Sequence, residues 1–149
     1  MAQATALDSL IEFARGQRDD ALSRFAASVS ASRALEERLA LLVNYRDEYA
    51  ARLAASVRTG LTLDKLRGFR LFLEKLELAI VQQQQAMCSQ SEQHLQRRAD
   101  WAQRESRLQG YATLRDRRRA VSALRSRRDE QRGTDEHARR STARAAKDQ

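Results

Sequence analysis

Helical pattern runs through almost the whole chain, and one short segment interrupts it: Val57-Arg58-Thr59-Gly60-Leu61-Thr62-Leu63-Asp64-Lys65-Leu66. Gly60 can adopt the left-handed conformation that closes a helix C-terminus. Thr62 suits the N-cap of a following helix, and Asp64 falls in its first turn, where the helix dipole favours an anion. Leu61 and Leu66 have the spacing of a hydrophobic staple, which sets how a chain enters a helix. The chain is therefore expected to reverse here and lay two helices side by side.

The rest of the sequence permits very long helices. There is no proline, and 32% of residues are charged against 5% aromatic. Such a composition cannot fill a globular core but suits helices paired along a narrow apolar seam. The expected fold is all-α, a long antiparallel two-helix coiled-coil hairpin whose C-terminal helix overhangs. Residues 1–132 form a single hairpin: a first helix over 4–58, a turn over 59–62 and a second helix over 63–131. Residues 133–149 read as a basic, disordered tail.

In the first helix the apolar residues recur at three and four: Leu7, Ile11, Ala14, Leu22, Phe25, Val29, Leu35, Leu39, Leu42, Val43, Leu53 and Val57. Between Ala26 and Ser32 the side chains are small, so this stretch is expected to be weakly held. The second helix has a cleaner seven-residue repeat: Leu66, Leu73, Ile80, Met87, His94, Trp101 and Leu108. Its companion row is Phe69, Leu76, Gln83, Gln90, Arg97, Arg104 and Tyr111, which turns polar in the middle. A heptad held this long implies a left-handed supercoil with a partner helix. The run Gln82-Gln83-Gln84-Gln85 reads as a solvated helical face.

With the reversal at Gly60, facing positions should sum to about 121. Trp101 then lies near Ala21 and Leu7 near Leu114, so the first helix ends opposite about residue 115. At 1.5 Å per residue the second helix reaches roughly 100 Å and the first about 80 Å, leaving an overhang without a partner in this chain.

Near the turn the apolar surface is wider than a two-stranded seam needs. The pairing sets Tyr49 against Phe72, Tyr45 against Leu76 and Leu42 against Ala79, one continuous patch. Two readings stand: these residues broaden the seam, with tyrosine rings buried and hydroxyls wet, or they form an exposed aromatic patch for another protein. A two-helix hairpin cannot bury so wide a face by itself, which favours the second.

Charge is uneven. Residues 115–149 carry 12 Lys+Arg against 6 Asp+Glu; of the chain totals of 28 and 20 this leaves 16 against 14 for the first 114 residues. Arg115, Arg117, Arg118, Arg119, Arg125, Arg127, Arg128 and Arg132 decorate the overhang. They fit a solvated helix, an acidic protein partner recognised through bidentate carboxylate pairs, or nucleic acid. The absence of interleaved aromatics after Tyr111 argues against the last.

No catalytic constellation is present: there is no glycine-rich phosphate loop and no HExxH. Cys88, Glu92 and His94 are close in sequence but do not share a helix face well, so neither metal site nor cofactor is expected. The lone cysteine excludes an internal disulfide and suits a reducing compartment. No signal peptide is legible in Met1 to Leu10. The longest apolar run, Leu39 to Val43, falls far short of the roughly 20 residues of a membrane span. These exclusions lead to the expectation of a soluble intracellular protein.

The segments Leu42-Val43-Asn44-Tyr45-Arg46-Asp47-Glu48-Tyr49, Gly60-Leu61-Thr62 and Phe69-Arg70-Leu71-Phe72-Leu73-Glu74-Lys75-Leu76-Glu77-Leu78-Ala79-Ile80 resemble the FliJ family of bacterial flagellar export proteins. Trp101, Leu108 and Tyr111 extend the likeness, which covers most of the chain to about residue 115. The resemblance implies a stalk similar to that of rotary ATPases, seated in the hexameric flagellar export ATPase. It also implies contact with the cytoplasmic domain of the export-gate protein, binding of empty substrate chaperones, and peripheral association with the cytoplasmic face of the inner membrane. The gate-contacting stripe would fall on Leu42, Tyr45, Tyr49, Phe72, Leu76 and Ala79. The sequence departs from the family pattern at Arg38, where glutamine is expected, and at Gln83, where histidine is expected. ATPase binding is assigned as an expectation to Arg115, Arg117, Arg118, Arg119 and Arg125. An injectisome stalk protein of similar build, or a self-associating structural coiled coil, are the alternatives.

Overall fold

A computed structural model describes the backbone of residues 2–148 and side chains from Thr5 onward. Two helices make up the described chain: α1, Ala2–Thr59, and α2, Leu63–Lys147. Contacts within the backbone divide it into two compact units, Met1–Gln17 with Glu105–Gln149, and Arg18–Arg104.

The unit Arg18–Arg104 contains the turn. Gly60 has φ +96°, the left-handed value that ends α1. A Cβ at Gly60 would meet nothing within 4 Å, so backbone conformation rather than space selects glycine here. Thr59 Oγ1 donates back to the carbonyls of Ala55 and Ser56 at 3.4 and 3.2 Å, closing the last turn of α1. The Leu66 amide donates to the Thr62 carbonyl at 3.0 Å, which makes Thr62 the residue from which α2 winds. Leu61 and Leu66 are both half-buried, as a staple requires.

The two helices of this unit run antiparallel. Tyr49 meets Phe72, Phe25 meets Trp101, and Ser28 meets His94. On α2 every position of the row Leu66, Leu73, Ile80, Met87, His94 and Trp101 is partly or fully buried. In the companion row Arg97 is exposed; Asp100, three residues on, is half-buried instead and pairs with Arg104 at 3.2 Å. A guanidinium at a seam position has water as its better partner, and this one is left in it. On α1 the buried row is a strict heptad, Ala21, Ser28, Leu35, Leu42, Tyr49 and Ser56, with Phe25, Ser32, Leu39, Arg46 and Leu53 between. Leu22 and Val57, read as seam residues, stand outside it at 42% and 56% exposure. Ala21 is almost fully covered, and the Trp101 ring stacks on Phe25 at 5.9 Å with 7° between planes. The indole Nε1 is buried without a hydrogen-bond partner.

Where apolar side chains give out, amides take over. Gln83 Nε2 donates to the Leu35 carbonyl at 3.0 Å and Gln90 Nε2 to the Ser28 carbonyl at 3.3 Å. Both pairs are seven residues apart on each helix, so the two bonds are successive rungs of one ladder. Ser28 Oγ donates to the Phe25 carbonyl at 2.7 Å, which uses its only proton. At 3.1 Å the His94 Nδ1 must then be the donor to Ser28 Oγ.

In the other unit Leu7, Ile11 and Ala14 of α1 form a buried cluster with Leu108 of α2, and Tyr111 packs against it. Leu114, the expected neighbour of Leu7, is 41% exposed. Beyond half-buried Arg115, every described residue to Asp148 is exposed. The sequence pattern ends α2 near Gln131 and leaves 133–149 as a disordered tail; instead α2 continues through Gly133 to Lys147. A single interior glycine costs about 1 kcal/mol relative to alanine, which Glu130, Gln131 and Arg132 before it and Glu136, Ala138, Arg139 and Arg140 a few residues after it can absorb. Glu136 pairs with Arg140 one turn on at 2.9 Å, and Thr134 Oγ1 turns back onto the Glu130 carbonyl at 2.8 Å. Arg144 and Lys147 in the last turn suit the negative end of the dipole.

Candidate protein-binding site

All six residues of the turn-proximal patch lie in the unit Arg18–Arg104, but in two roles. Leu42, Tyr49 and Leu76 occupy seam positions, and Leu76 is only 9% exposed. The Tyr49 ring lies between two phenylalanines, with centroids 5.1 Å from Phe69 and 4.4 Å from Phe72, both tilted. Aromatic pairs of this kind add about 0.5–1.5 kcal/mol each beyond area burial. Tyr45, Phe72 and Ala79 flank the seam on one side. Tyr45 is 59% exposed, Phe72 42%, and Ala79 half-buried.

Local sequence accounts for this arrangement. Tyr45 precedes the seam residue Arg46, and Phe72 precedes the seam residue Leu73. In an antiparallel pair these positions border the same edge of the seam. Leu76 and Tyr49 act as the fixed base; Phe72 leans on Tyr49 and presents its outer surface. Rigid aromatic surface held by a packed base is the arrangement found at binding hot spots. Sequence reading did not single out Leu71 and Leu78, each 59% exposed and one residue before Phe72 and Ala79. They carry apolar surface from the patch onto the outer side of α2, and their seven-residue spacing was the available signal. Arg38, one of the departures from the family pattern, is exposed, and Gln83, the other, is spent on the Leu35 carbonyl.

Arg115 is half-buried and lies 3.4 Å from Asp116. Arg117, Arg118, Arg119 and Arg125 are exposed on the stretch of α2 that no other segment of its unit covers. At about 100° per residue they spread around the helix rather than along one face. Leu114, Val121 and Leu124 are exposed among them. Cys88 is free and exposed, while His94 faces the seam. Among the described residues no group of His, Cys, Asp and Glu could hold a metal ion. No described helix is long and apolar enough to cross a membrane.

Two long antiparallel helices with an apolar patch beside their turn define a coiled-coil protein. Comparison gives the family. The family model described as "Flagellar FliJ protein" matches residues 3–147. The flagellar FliJ protein of Salmonella typhi is 29% identical over 144 residues, covering 97% of this chain and 98% of its own. That of Escherichia coli (strain K12) is 28% identical over the same length and the same shares. No solved structure matches. The chain belongs to the flagellar FliJ family and is a component of flagellar protein export.

Proposed function

We propose that this chain is a non-enzymatic stalk and adaptor of the flagellar type III export apparatus. Leu42, Tyr45, Tyr49, Phe72, Leu76 and Ala79 contact the cytoplasmic domain of the export-gate protein. Arg115, Arg117, Arg118, Arg119 and Arg125 contact the hexameric export ATPase, pairing with carboxylates of the ring. Changes in the ring reach the gate through the helices, and the same protein escorts empty substrate chaperones. It works at the cytoplasmic face of the inner membrane without a span of its own.

The observation that carries the gate reading is the exposure of Tyr45 and Phe72 on a base of buried Leu76 and half-buried Tyr49. Exposed aromatic surface of this kind is costly in water and is kept where a partner covers it. The ATPase reading rests on the arginines of the uncovered end of α2, where charge steers docking and guanidinium forks pair with carboxylates. Co-purification tests both. Removal of residues 115–149 abolishes capture of the ATPase and spares the gate domain; Tyr45→Ala with Phe72→Ala does the reverse. Retention of ATPase capture by the truncated chain would contradict the assignment of its arginines.

A further inference from the structure

We propose that the hairpin has a second docking face, on the side of the seam away from Tyr45, that accepts an amphipathic helix carrying a basic residue. The face lies in the unit Arg18–Arg104. On α1, Leu22, Val29, Glu36, Val43, Ala50 and Val57 are spaced seven apart, each one residue after a seam position. Val43 and Tyr45 are two residues, about 200°, apart, so they flank the seam on opposite sides. Leu22 and Val57 are exposed, and Val29 and Val43 are half-buried. Five of the six positions are apolar, a row that the seam itself leaves unused.

Two hollows open along the middle of this row. One, of about 410 Å3, is bordered by Val29, Leu35 and His94; the other, of about 380 Å3, by Leu39, Ala40 and Val43. Glu36 and Met87 border both, so the hollows adjoin. Their cause is the composition of the seam. Ser28 and Ser32 fill little volume, and Gln83 and Gln90 reach across to backbone carbonyls without filling the side. The first hollow is also walled by Ser32, Arg33, Gln90 and Ser91, whereas the second is mainly apolar, and apolar hollows of this size are what helix side chains enter. Met87 is unbranched and flexible, and can reshape the shared wall around what enters.

The occupant follows from spacing and charge. A heptad row bordering the groove between two helices matches the side chains of a third helix, the helix-in-groove mode of recognition. Glu36 is the one charge in the row, exposed, with neither an ion pair nor a hydrogen bond among the described residues. A lysine or arginine of the incoming helix would complete it over an apolar floor. Arg33 borders only the first hollow, which leaves the carboxylate alone beside the second. The partner is thus a helix with leucine-like residues at heptad spacing and a cation at its centre.

The test uses the full chain and two synthetic helical peptides of about four heptads, identical except for arginine or glutamate at the centre. Fluorescence anisotropy at physiological ionic strength should show the arginine peptide binding at least about tenfold tighter. Glu36→Arg should reverse that order, Val43→Asp should abolish binding with helicity retained, and Tyr45→Ala should leave it unchanged. Absent binding, equal affinity for both peptides, or loss of binding in Tyr45→Ala would overturn the proposal. So would a dimer in sedimentation that Glu36→Arg dissolves, since a second copy would then fill the groove.

Discussion

The hairpin near its turn and the hairpin in its middle solve one problem in opposite ways. Near the turn Tyr49, Phe69, Phe72, Leu76 and Ile80 supply large apolar surface, and the helices hold by packing. In the middle Ala26 to Ser32 supply almost none, and two glutamine amides hold the helices by bonding to backbone carbonyls. A buried methylene contributes about 0.8 kcal/mol, and a typical internal hydrogen bond about 0.5–1.5 kcal/mol net. Two rungs therefore replace only a small part of what several aromatic and aliphatic side chains supply. The teaching is that a coiled coil of uniform backbone can be firm at one place and soft at another, with surface hollows at the soft one.

The largest effect expected at the firm part is from Ile80→Ala. Ile80 is 5% exposed, and truncation there should cost about 2–4 kcal/mol in a thermal or urea melt. A loss below 1 kcal/mol would mean that the seam near the turn is loosely packed. Gly60→Ala should cost about 1–2 kcal/mol, because alanine is strained at φ +96° while nothing crowds its methyl. Gly60→Asn should recover part of that loss in the same melt. Gln83→Leu with Gln90→Leu should raise stability by about 1 kcal/mol or more, turning the soft middle into a copy of the firm part. A fall in stability would show that the rungs hold the helices better than packing does. In the wild type, amide exchange should be faster around Ser28 and Gln90 than around Tyr49 and Leu76. The smallest effect is Gly133→Ala, about 1 kcal/mol of local helix stability, read as slower exchange in residues 130–147.

The turn and the α2 seam were legible in the sequence because each was written in residues with one strong preference: a glycine, a cap threonine, a leucine heptad. The heptad of α1 was hidden because Ala21, Ser28 and Ser56 occupy its positions, while Leu22 and Val57 stand beside it and draw the eye. The apolar count there follows residues that the fold leaves outside. Gly133 misled in the other direction: taken alone it signals an end, but Glu136, Arg140 and the alanines after it keep the helix going. The meeting of Tyr49 and Phe72 was legible through the pairing sum. The division of the six residues into seam and flank was not, since one residue of register separates buried Leu76 from a solvent-facing neighbour. Nor did the sequence announce the hollows beside Glu36, which come from what small seam residues fail to fill.

The central claim is that Tyr45 and its neighbours form a surface for a partner and not a part of the core. The most direct measurement is the affinity of Tyr45→Ala for the isolated cytoplasmic domain of the export-gate protein, alongside its circular dichroism and melting temperature. Affinity should be at least about tenfold weaker, as for an aromatic hot spot, with helicity and melting unchanged. Undiminished affinity, or a collapse of helicity, would contradict that claim.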